Sequence, residues 1–469
     1  IIGLVIGISA SLVIFIIVQY DFGFDKFENG GDRIYRVVSD MKFPDNDFKN
    51  SGVPLPLIPA AQKEVTGVEL FVPFSTGSEL NVSINKISAN KPDLYKKQTN
   101  IVYADNNFFK LLQYKWLAGS SQNALSDPYT TVLTESRAKT YFPNSDVSKD
   151  IGKIITYNDT TKTTVTGIVK DLDETTDFNF KEFISYKTIP ADQFTDANWG
   201  GVSSSDQLFI KLSKGTTPVA VQKQLQQQFD KHQKDAYLNN IFSLQPLSDI
   251  HFNSDYSNFN QRIAHRPTLY GLLAVAAILL LLGCINFINL TTAQAVQRAK
   301  EIGIRKTMGS SKKQLMFQFL SETFLLTLVA TMLSIILVPF IIKIFSDFIP
   351  AGINTHMLTG ANVIVFIIAL IITVSLLSGF YPAMILSKYN PVVVLKNQAA
   401  VSSSSTRNVW VRKSLTVTQF VFAQAFIIAA IIVSQQIQYA LHKDLGFKKD
   451  GIITVQTPFN VAAFTDKAL

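Results

Sequence analysis

Cysteine is almost absent from this chain of 469 residues: Cys284 is the only one, and it lies within an apolar run. A lone cysteine excludes a disulfide framework within the chain. The chain also lacks the ATP-binding pattern G-x-x-x-x-G-K followed by Ser or Thr, and the zinc-binding pattern H-E-x-x-H. We therefore expect a protein that is not an enzyme and that itself binds no metal or cofactor.

His251 lies two residues after Asp249, and such a pair can serve as a general base with its orienting acid. The sequence places no nucleophile beside them, so we expect a role in the fold or at the surface. Asp171, Asp173 and Glu174 form an acidic turn of the kind that is usually solvated. A membrane hydrolase is disfavoured on these grounds.

The positive charge of the chain is unevenly distributed. The formal net charge is +8, and 47% of the residues are hydrophobic, in near-uncharged runs separated by one long polar block. Much of the excess Lys and Arg lies in two loops beside apolar runs. Membrane topology and contact with anionic lipid headgroups explain that placement, and nucleic acid is not expected as a partner.

Five apolar runs are long enough to cross a bilayer as helices, which takes about 20 residues each. They predict an α-helical transmembrane bundle with a large mixed α/β extracytoplasmic domain between the first two spans. We predict spans at 1–20, 267–292, 315–345, 362–387 and 414–433, an outer domain at 21–266, a cytoplasmic segment at 293–314, a short outer loop at 346–361, a cytoplasmic linker at 388–413 and the start of a second outer domain at 434–469.

The distribution of Lys and Arg orients these spans, because basic residues in short loops resist translocation. The segments 293–314 and 388–413 are both basic and fall on the same side of the membrane. The amino terminus should therefore be cytoplasmic and the large domain periplasmic. Within the bundle, the spacing of Gly3, Gly7 and Ser11 favours close packing of the first span against another helix.

The polar block alternates in a way typical of strands, interrupted by helical stretches. Asn158-Asp159 between two alternating runs predicts a hairpin, and Thr217-Pro218 is typical of a helix start. Strands are expected near 33–40, 68–74, 82–87, 99–104, 153–157, 163–170, 207–212 and 241–245, helices near 56–65 and 218–231, and a strand that becomes a helix at 131–142.

The segment that follows the second span predicts a helix, a corner and a second helix. Residues 295–308 have the composition of a helix, and Gly309 can adopt the left-handed conformation that ends one. Ser311 and Gln314 have the spacing of a capping box, which would start the next helix at once. On pattern alone, this segment is also compatible with a plain charged turn.

This segment resembles the cytoplasmic coupling segment of the FtsX/MacB-like ABC transporter permeases. The resemblance rests on Glu301-Ile302-Gly303-Ile304-Arg305-Lys306, Met308-Gly309-Ser310, Phe319-Leu320 and Glu322. The outer block is similar to the MacB-type core domain at Asp25-Lys26-Phe27, Asp32-Arg33-Ile34-Tyr35-Arg36-Val37, Ala104-Asp105, Phe108-Phe109, Ile151-Gly152-Lys153 and Val165-Thr166-Gly167-Ile168-Val169. A partial internal repeat, in which the exits of the first and fifth spans resemble each other, predicts a truncated two-repeat permease of the type common in Bacteroidetes.

The resemblance implies a permease subunit of the inner membrane that works with a separate ABC ATPase subunit, which would bind the ATP. It implies a dimeric or pseudo-dimeric assembly, and it leaves open a periplasmic adaptor or outer-membrane component. The residues expected to contact the ATPase are Lys300, Glu301, Gly303, Ile304, Arg305, Lys306, Met308 and Gly309. The alternative is a membrane-anchored sensor or scaffold without an ATPase. A secondary transporter is disfavoured by the small number of spans and of intramembrane charges.

Overall fold

The computed structural model describes residues 1–388 and 405–444, apart from 29, 44–45, 78, 86–90, 144, 234–238, 260–261, 351 and 354. The side chains of 295–300, 355–356, 386, 388, 405–409 and 412 are likewise not described. Residues 389–404 of the expected linker at 388–413, and 445–469 of the expected second outer domain at 434–469, therefore lie outside the described residues. Residues 405–413 of that linker and 434–442 of that domain are helical.

The described α-helices, in chain order, are α1 (Ile2–Phe22), α2 (Leu57–Glu64), α3 (Asn106–Leu111), α4 (Glu135–Tyr141), α5 (Pro218–His232), α6 (Leu247–Ile250), α7 (Arg266–Thr307), α8 (Lys312–Ile344), α9 (Ala361–Lys388) and α10 (Ser405–His442). By length and composition, five of them could cross a membrane: α1 and α7 to α10. The large mixed α/β domain lies between α1 and α7, as predicted.

The strands are β1 (Ile34–Lys42), β2 (Asp47–Asn50), β3 (Val68–Thr76), β4 (Leu80–Ile84), β5 (Asp93–Gln98), β6 (Ile101–Ala104), β7 (Trp116–Ala118), β8 (Thr130–Thr134), β9 (Ile154–Tyr157), β10 (Thr161–Val169), β11 (Glu182–Ser185), β12 (Asp206–Leu212) and β13 (Asn239–Pro246). They form one mixed sheet in the order β13-β1-β12-β3-β6-β11-β8-β10-β9-β4-β5, with β2 beside β1 and β7 beside β10. The predicted hairpin is confirmed: β9 and β10 pair antiparallel around Asn158 and Asp159, both with positive φ.

The core of the outer domain is aromatic. Phe74 stacks on Phe209 and meets Phe108 and Phe178 edge-on, and all four rings are fully buried. A second cluster packs α2 and α5 against β1, β12 and β13 through residues such as Leu57, Leu225 and Phe242. This domain therefore has its own apolar core, independent of any bilayer.

The chain divides into two compact units. One comprises Ile1–Gly7, Ile278–Met332 and Ala369–Leu469, and the other Ile8–Ala277 and Leu333–Ile368. In the first unit, a Cβ atom on Gly7 would lie 3.1 Å from the Leu279 carbonyl oxygen. In the second unit, the Ser11 hydroxyl donates to the Ala276 carbonyl at 3.1 Å. The close packing expected from the small residues of α1 is thus confirmed, with α7 as the partner.

Helix α7 differs from the sequence expectation in one respect. A separate short helix was expected after the second span, whereas the structure has a single helix of 42 residues from Arg266 to Thr307. The segment between span and corner consists largely of Ala, Gln, Lys, Arg and Ile, and Gly303 costs only about 1 kcal/mol relative to Ala. No helix-breaking residue therefore interrupts α7 before Gly309.

Candidate functional site

The corner between α7 and α8 has the geometry that its sequence predicts. Gly309 has φ 98°, and its amide donates to the Lys306 carbonyl at 3.1 Å. The Ser310 amide donates to the Arg305 carbonyl, also at 3.1 Å. These two bonds form a Schellman motif, in which a left-handed glycine satisfies the last carbonyls of a helix. The predicted end of α7 at Gly309 is confirmed.

Helix α8 starts with the expected capping box. The Ser311 amide donates to the Gln314 side-chain oxygen at 2.9 Å, and the Gln314 amide donates to the Ser311 hydroxyl at 3.3 Å. Each residue satisfies a donor of the other that would otherwise have no partner within the helix. Short-range hydrogen bonds around the corner therefore stabilise both the end of α7 and the start of α8.

Replacing Ser311 with Ala should destabilise the first turn of α8 by about 1 kcal/mol, because a capping oxygen is lost. We expect amide hydrogen exchange across residues 312–315 to rise about fivefold. Ser310→Ala is the matched control, since Ser310 caps α7 through its backbone amide, which the substitution keeps. Equal exchange in the two variants would show that the box does not hold the corner.

One face of the last turns of α7 packs against neighbouring helices. Ile302 is 3% exposed and lies in a cluster with Leu315, Phe319 and Ala383. Gly303 is buried beside it. The Lys306 ammonium donates to the Ser387 carbonyl near the end of α9 at 2.7 Å. These contacts fix the rotation of α7 about its own axis at this point.

The opposite face is exposed. Glu301, Ile304, Arg305 and Met308 follow one another at i, i+3, i+4 and i+7, so they share one side of the helix. Ile304 is 44% exposed and Met308 is 81% exposed. Two large apolar side chains on a polar helix end suit a surface that another protein covers. We call these four residues the outer face of α7.

The charges around the corner are distributed between the two faces. Arg305 forms an ion pair with Glu301 at 2.6 Å, both side chains being about half exposed. Such a pair contributes about 0.5 kcal/mol or less to helix stability, so its charges remain available to a partner. Partial burial, together with the charge of Lys312, lowers the pKa of Lys306.

The structure thus sorts the residues that the sequence singled out. Glu301, Ile304, Arg305 and Met308 meet on the outer face, and Gly309 makes the corner. Gly303 and Lys306 face inward, and the side chain of Lys300 lies outside the described residues. The contact of Lys306 with Ser387 was not anticipated from the sequence, because 81 residues separate the two and no local pattern joins them.

Comparison with known sequences places two domains on this chain. A profile described as the MacB-like periplasmic core domain matches residues 1–228, and one described as the FtsX-like permease C-terminal domain matches residues 273–391. The second match contains the α7–α8 corner. Together the two profiles cover most of the outer domain and the helices α7 to α9.

Curated relatives are distant and longer. The macrolide export ATP-binding/permease protein MacB of Campylobacter jejuni is 24% identical over 272 residues, which is 57% of this chain and 39% of that protein. The protein of the same name from Syntrophobacter fumaroxidans is 30% identical over 144 residues, 30% of this chain and 20% of that protein. The chain therefore spans well under half the length of these relatives, and their ATPase domain is not covered in it.

Two solved structures are similar to about half of the chain. A domain described as part of a permease protein from Porphyromonas gingivalis is 22% identical with a TM-score of 0.40, covering 53% of this chain and 98% of that one. The periplasmic region of MacB from Actinobacillus actinomycetemcomitans is 15% identical with a TM-score of 0.32, covering 47% and 90%. On the two domain matches and the arrangement of helices, this chain is a distant homologue of MacB with the architecture of the MacB/FtsX-type ABC permeases, a MacB-like periplasmic core domain being joined to an FtsX-like permease domain.

Proposed function

We propose that this chain is the permease subunit of a MacB/FtsX-type ABC system. It would couple ATP hydrolysis by a separate ATPase subunit to movement of the periplasmic domain, for efflux, lipoprotein handling or envelope signalling. The outer face of α7 carries the proposal, because it presents Ile304, Met308 and a charged pair at the tip of a membrane helix. The ATPase would bind the ATP, and this chain would be non-catalytic.

The continuity of α7 supports coupling along this helix. At 1.5 Å per residue, a helix of 42 residues is about 60 Å long, enough to cross a bilayer and reach beyond it. A force applied at Met308 would therefore act on one hydrogen-bonded rod. The Schellman corner and the contact of Lys306 with Ser387 link that rod to α8 and α9.

The proposed placement is a multi-pass protein of the inner membrane with a cytoplasmic amino terminus and a periplasmic large domain. The basic segments near 293–314 and 388–413 would lie at the cytoplasmic surface, where anionic lipid attracts Lys and Arg. The working assembly would contain two permease halves, as a dimer or pseudo-dimer. A periplasmic adaptor or outer-membrane component would extend it in an export system.

Altering the outer face alone tests the proposal. We would exchange Glu301 with Arg305 and replace Ile304 and Met308 with Ser, leaving the inward residues and the net charge unchanged. The full-length protein should co-purify with ABC ATPase subunits encoded beside its gene and stimulate their ATP hydrolysis in nanodiscs. The quadruple variant should lose at least nine-tenths of both, because two apolar anchors and the charge order are lost, on the order of 1.4 kcal/mol or more of binding energy.

The control is the Glu301–Arg305 exchange alone, which retains the apolar anchors and should weaken capture less than the quadruple variant does. If no ATPase is retained by the unaltered protein, or if the quadruple variant behaves like it, the permease proposal fails. In that case the membrane-anchored sensor or scaffold becomes the better explanation.

A further inference from the structure

Three buried charged side chains and one partly exposed one, Arg262, meet where α1 leaves the membrane region and α7 begins. They are Asp21 in the last turn of α1, Asp177 between β10 and β11, His251 directly after α6, and Arg262 four residues before α7. We call this set the joint. All four belong to the same compact unit, together with the outer domain.

Asp21 is the centre of the joint. It is 1% exposed, and both of its carboxylate oxygens accept from the Arg262 guanidinium, one of them at 2.9 Å. Such a two-pronged contact fixes orientation as well as distance. The end of α1 and the approach to α7 are therefore tied to each other directly.

His251 links this pair to the outer domain. Its Nδ1 lies 3.2 Å from both carboxylate oxygens of Asp177, and its Nε2 lies 3.5 Å from Asp21. An ionised carboxylate only accepts hydrogen bonds, so a histidine that donates to a carboxylate through each ring nitrogen carries both ring protons. Burial by itself lowers the pKa of His251, but the hydrogen bonds to Asp177 and Asp21 outweigh it and raise that pKa.

The surroundings hold the four groups in one arrangement. The Phe24 ring stacks on His251 with 3.5 Å between centroids, and the Ala264 amide donates to the His251 carbonyl at 2.9 Å. Asn258 donates to both Asp177 and the Arg262 carbonyl. The imidazole and the guanidinium thus face two carboxylates, and charged groups are tolerated in an interior when they are paired and hydrogen-bonded.

A mostly buried ion cluster adds little net stability compared with apolar packing, but it penalises every geometry in which a buried charge loses its partner. Here the penalised geometries are those in which α1 and α7 swing relative to the outer domain. Gly23 and the loop leading to α7 would otherwise form a natural hinge at this point.

We propose that the joint makes the outer ends of α1 and α7 move as one body with the periplasmic domain, so that helix displacement is transmitted to it. Asp21, His251, Asp177 and Arg262 are then positioning residues for transmission, and this inference rests on the proposed permease function. Without the joint, movement of the helices would be absorbed by bending at the membrane exit.

The first test needs no ATPase. In a Cys284→Ser background, spin labels at Tyr270→Cys on α7 and Val219→Cys on α5 report the distance between membrane helix and outer domain in nanodiscs. Both positions are exposed. We expect a narrow distance distribution in the protein with the unaltered joint. The width of the distribution should at least double in Arg262→Ala and in Asp21→Asn, and it should be intermediate in Arg262→Lys.

The matched control is Lys49→Ala, which breaks the exposed ion pair of Lys49 with Asp255 in the same domain and should leave the width unchanged. Circular dichroism establishes that each variant is folded. A broad distribution in the unaltered protein, or a narrow one in both joint variants, overturns the proposal whether or not an ATPase binds.

The second test uses the complex with the ATPase. A non-hydrolysable ATP analogue should change hydrogen exchange in the outer domain of the unaltered protein. In Arg262→Ala that change in hydrogen exchange should disappear, while stimulation of ATP hydrolysis stays within about twofold of that by the unaltered protein. General destabilisation would reduce both effects together. Transmission through the joint is contradicted if Arg262→Ala no longer stimulates ATP hydrolysis, or if the nucleotide analogue still changes hydrogen exchange in its outer domain. Failure to capture any ATPase contradicts the permease function instead. The first test then decides whether the joint is rigid.

Discussion

Replacement of Arg137 by Met is expected to lower the free energy of unfolding of the outer domain by about 3–5 kcal/mol, the cost of removing one partner from a buried ion pair. The Arg137 Nε lies 3.1 Å from a carboxylate oxygen of Glu182, a side chain with no exposure. The guanidinium also donates to the Thr99 carbonyl at 2.6 Å and to Gln98. These contacts tie α4 to the centre of the sheet.

The loss of stability comes from the Glu182 carboxylate, which remains buried after its partner Arg137 is removed. It lies in β11, every residue of which is buried, and the Tyr141 hydroxyl donates to it. Burial raises the pKa of Glu182, and the Arg137 charge opposes that rise. Without Arg137, the carboxylate must either remain charged in an apolar cluster or take up a proton, and both options destabilise the folded state at neutral pH.

Urea unfolding of the full-length chain in detergent, followed by tryptophan fluorescence, measures this loss, since Trp116 and Trp199 lie in the outer domain. Lys139→Met is the control on the same helix. It breaks the exposed pair with Glu135 and should cost less than about 1 kcal/mol. Adding Glu182→Gln to Arg137→Met should restore much of the stability, and no restoration would mean that the lost packing of Arg137, rather than the uncompensated charge, sets the cost.

The membrane helices were predictable because the signal is long and local. A run of about 20 apolar residues identifies a span by itself, and each of the five predicted runs lies within a described helix to within one residue. The strands β2, β5, β7 and β11 were not anticipated. Strand β11, with the sequence Glu-Phe-Ile-Ser, is a strand because β6 and β8 pair with it on either side, and no pattern of four residues reveals its neighbours.

In the candidate site, too, the local features were predictable from the sequence and the long-range contacts were not. Gly309, Ser311 and Gln314 act on residues within a few positions, so their roles could be predicted from the sequence and are confirmed. Which of the other residues face outward depends on how α7 packs on α8 and α9. That choice is made by Ile302 and by the contact of Lys306 with Ser387, which the sequence does not show.

The joint illustrates the limit of local patterns. From the sequence, Asp249 was the evident companion of His251. In the structure, His251 meets Asp177 and Asp21, which are 74 and 230 positions away, while Asp249 accepts from Gln245 and Asn253. Charged residues that pair across such separations are indistinguishable in sequence from solvated ones.

Replacement of Asp25 by Asn is expected to stabilise the outer domain, and the gain should grow with pH. Asp25 is buried just after α1, and its Oδ1 accepts from the Thr176 hydroxyl. Its backbone has φ 54°, a conformation that Asn tolerates as well as Asp. The substitution therefore keeps shape, backbone and hydrogen-bonding capacity, and removes only the ionisable proton.

Burial raises the pKa of Asp25 from its usual 3.8 to about 7, the hydrogen bond from Thr176 opposes that rise, and the charge of Asp177 adds to it. The folded state thus keeps a proton that the unfolded chain releases near pH 4. The stability that this proton provides is present below pH 4 and is lost as the pH rises towards 7. One proton corresponds to about 1.4 kcal/mol per pH unit, so the loss reaches about 4 kcal/mol.

The asparagine side chain of the variant has no proton to release, so the difference in unfolding free energy between Asp25→Asn and the unaltered chain should rise with that slope between pH 4 and 7 and be constant above it. Urea unfolding at a series of pH values measures this difference directly, and titrating groups that do not interact with Asp25 cancel from it. Asp192→Asn, the same substitution at an exposed position, is the matched control. A flat or falling difference for Asp25→Asn would mean that Asp25 is already ionised in the folded protein over this range, contrary to the raised pKa that its burial produces.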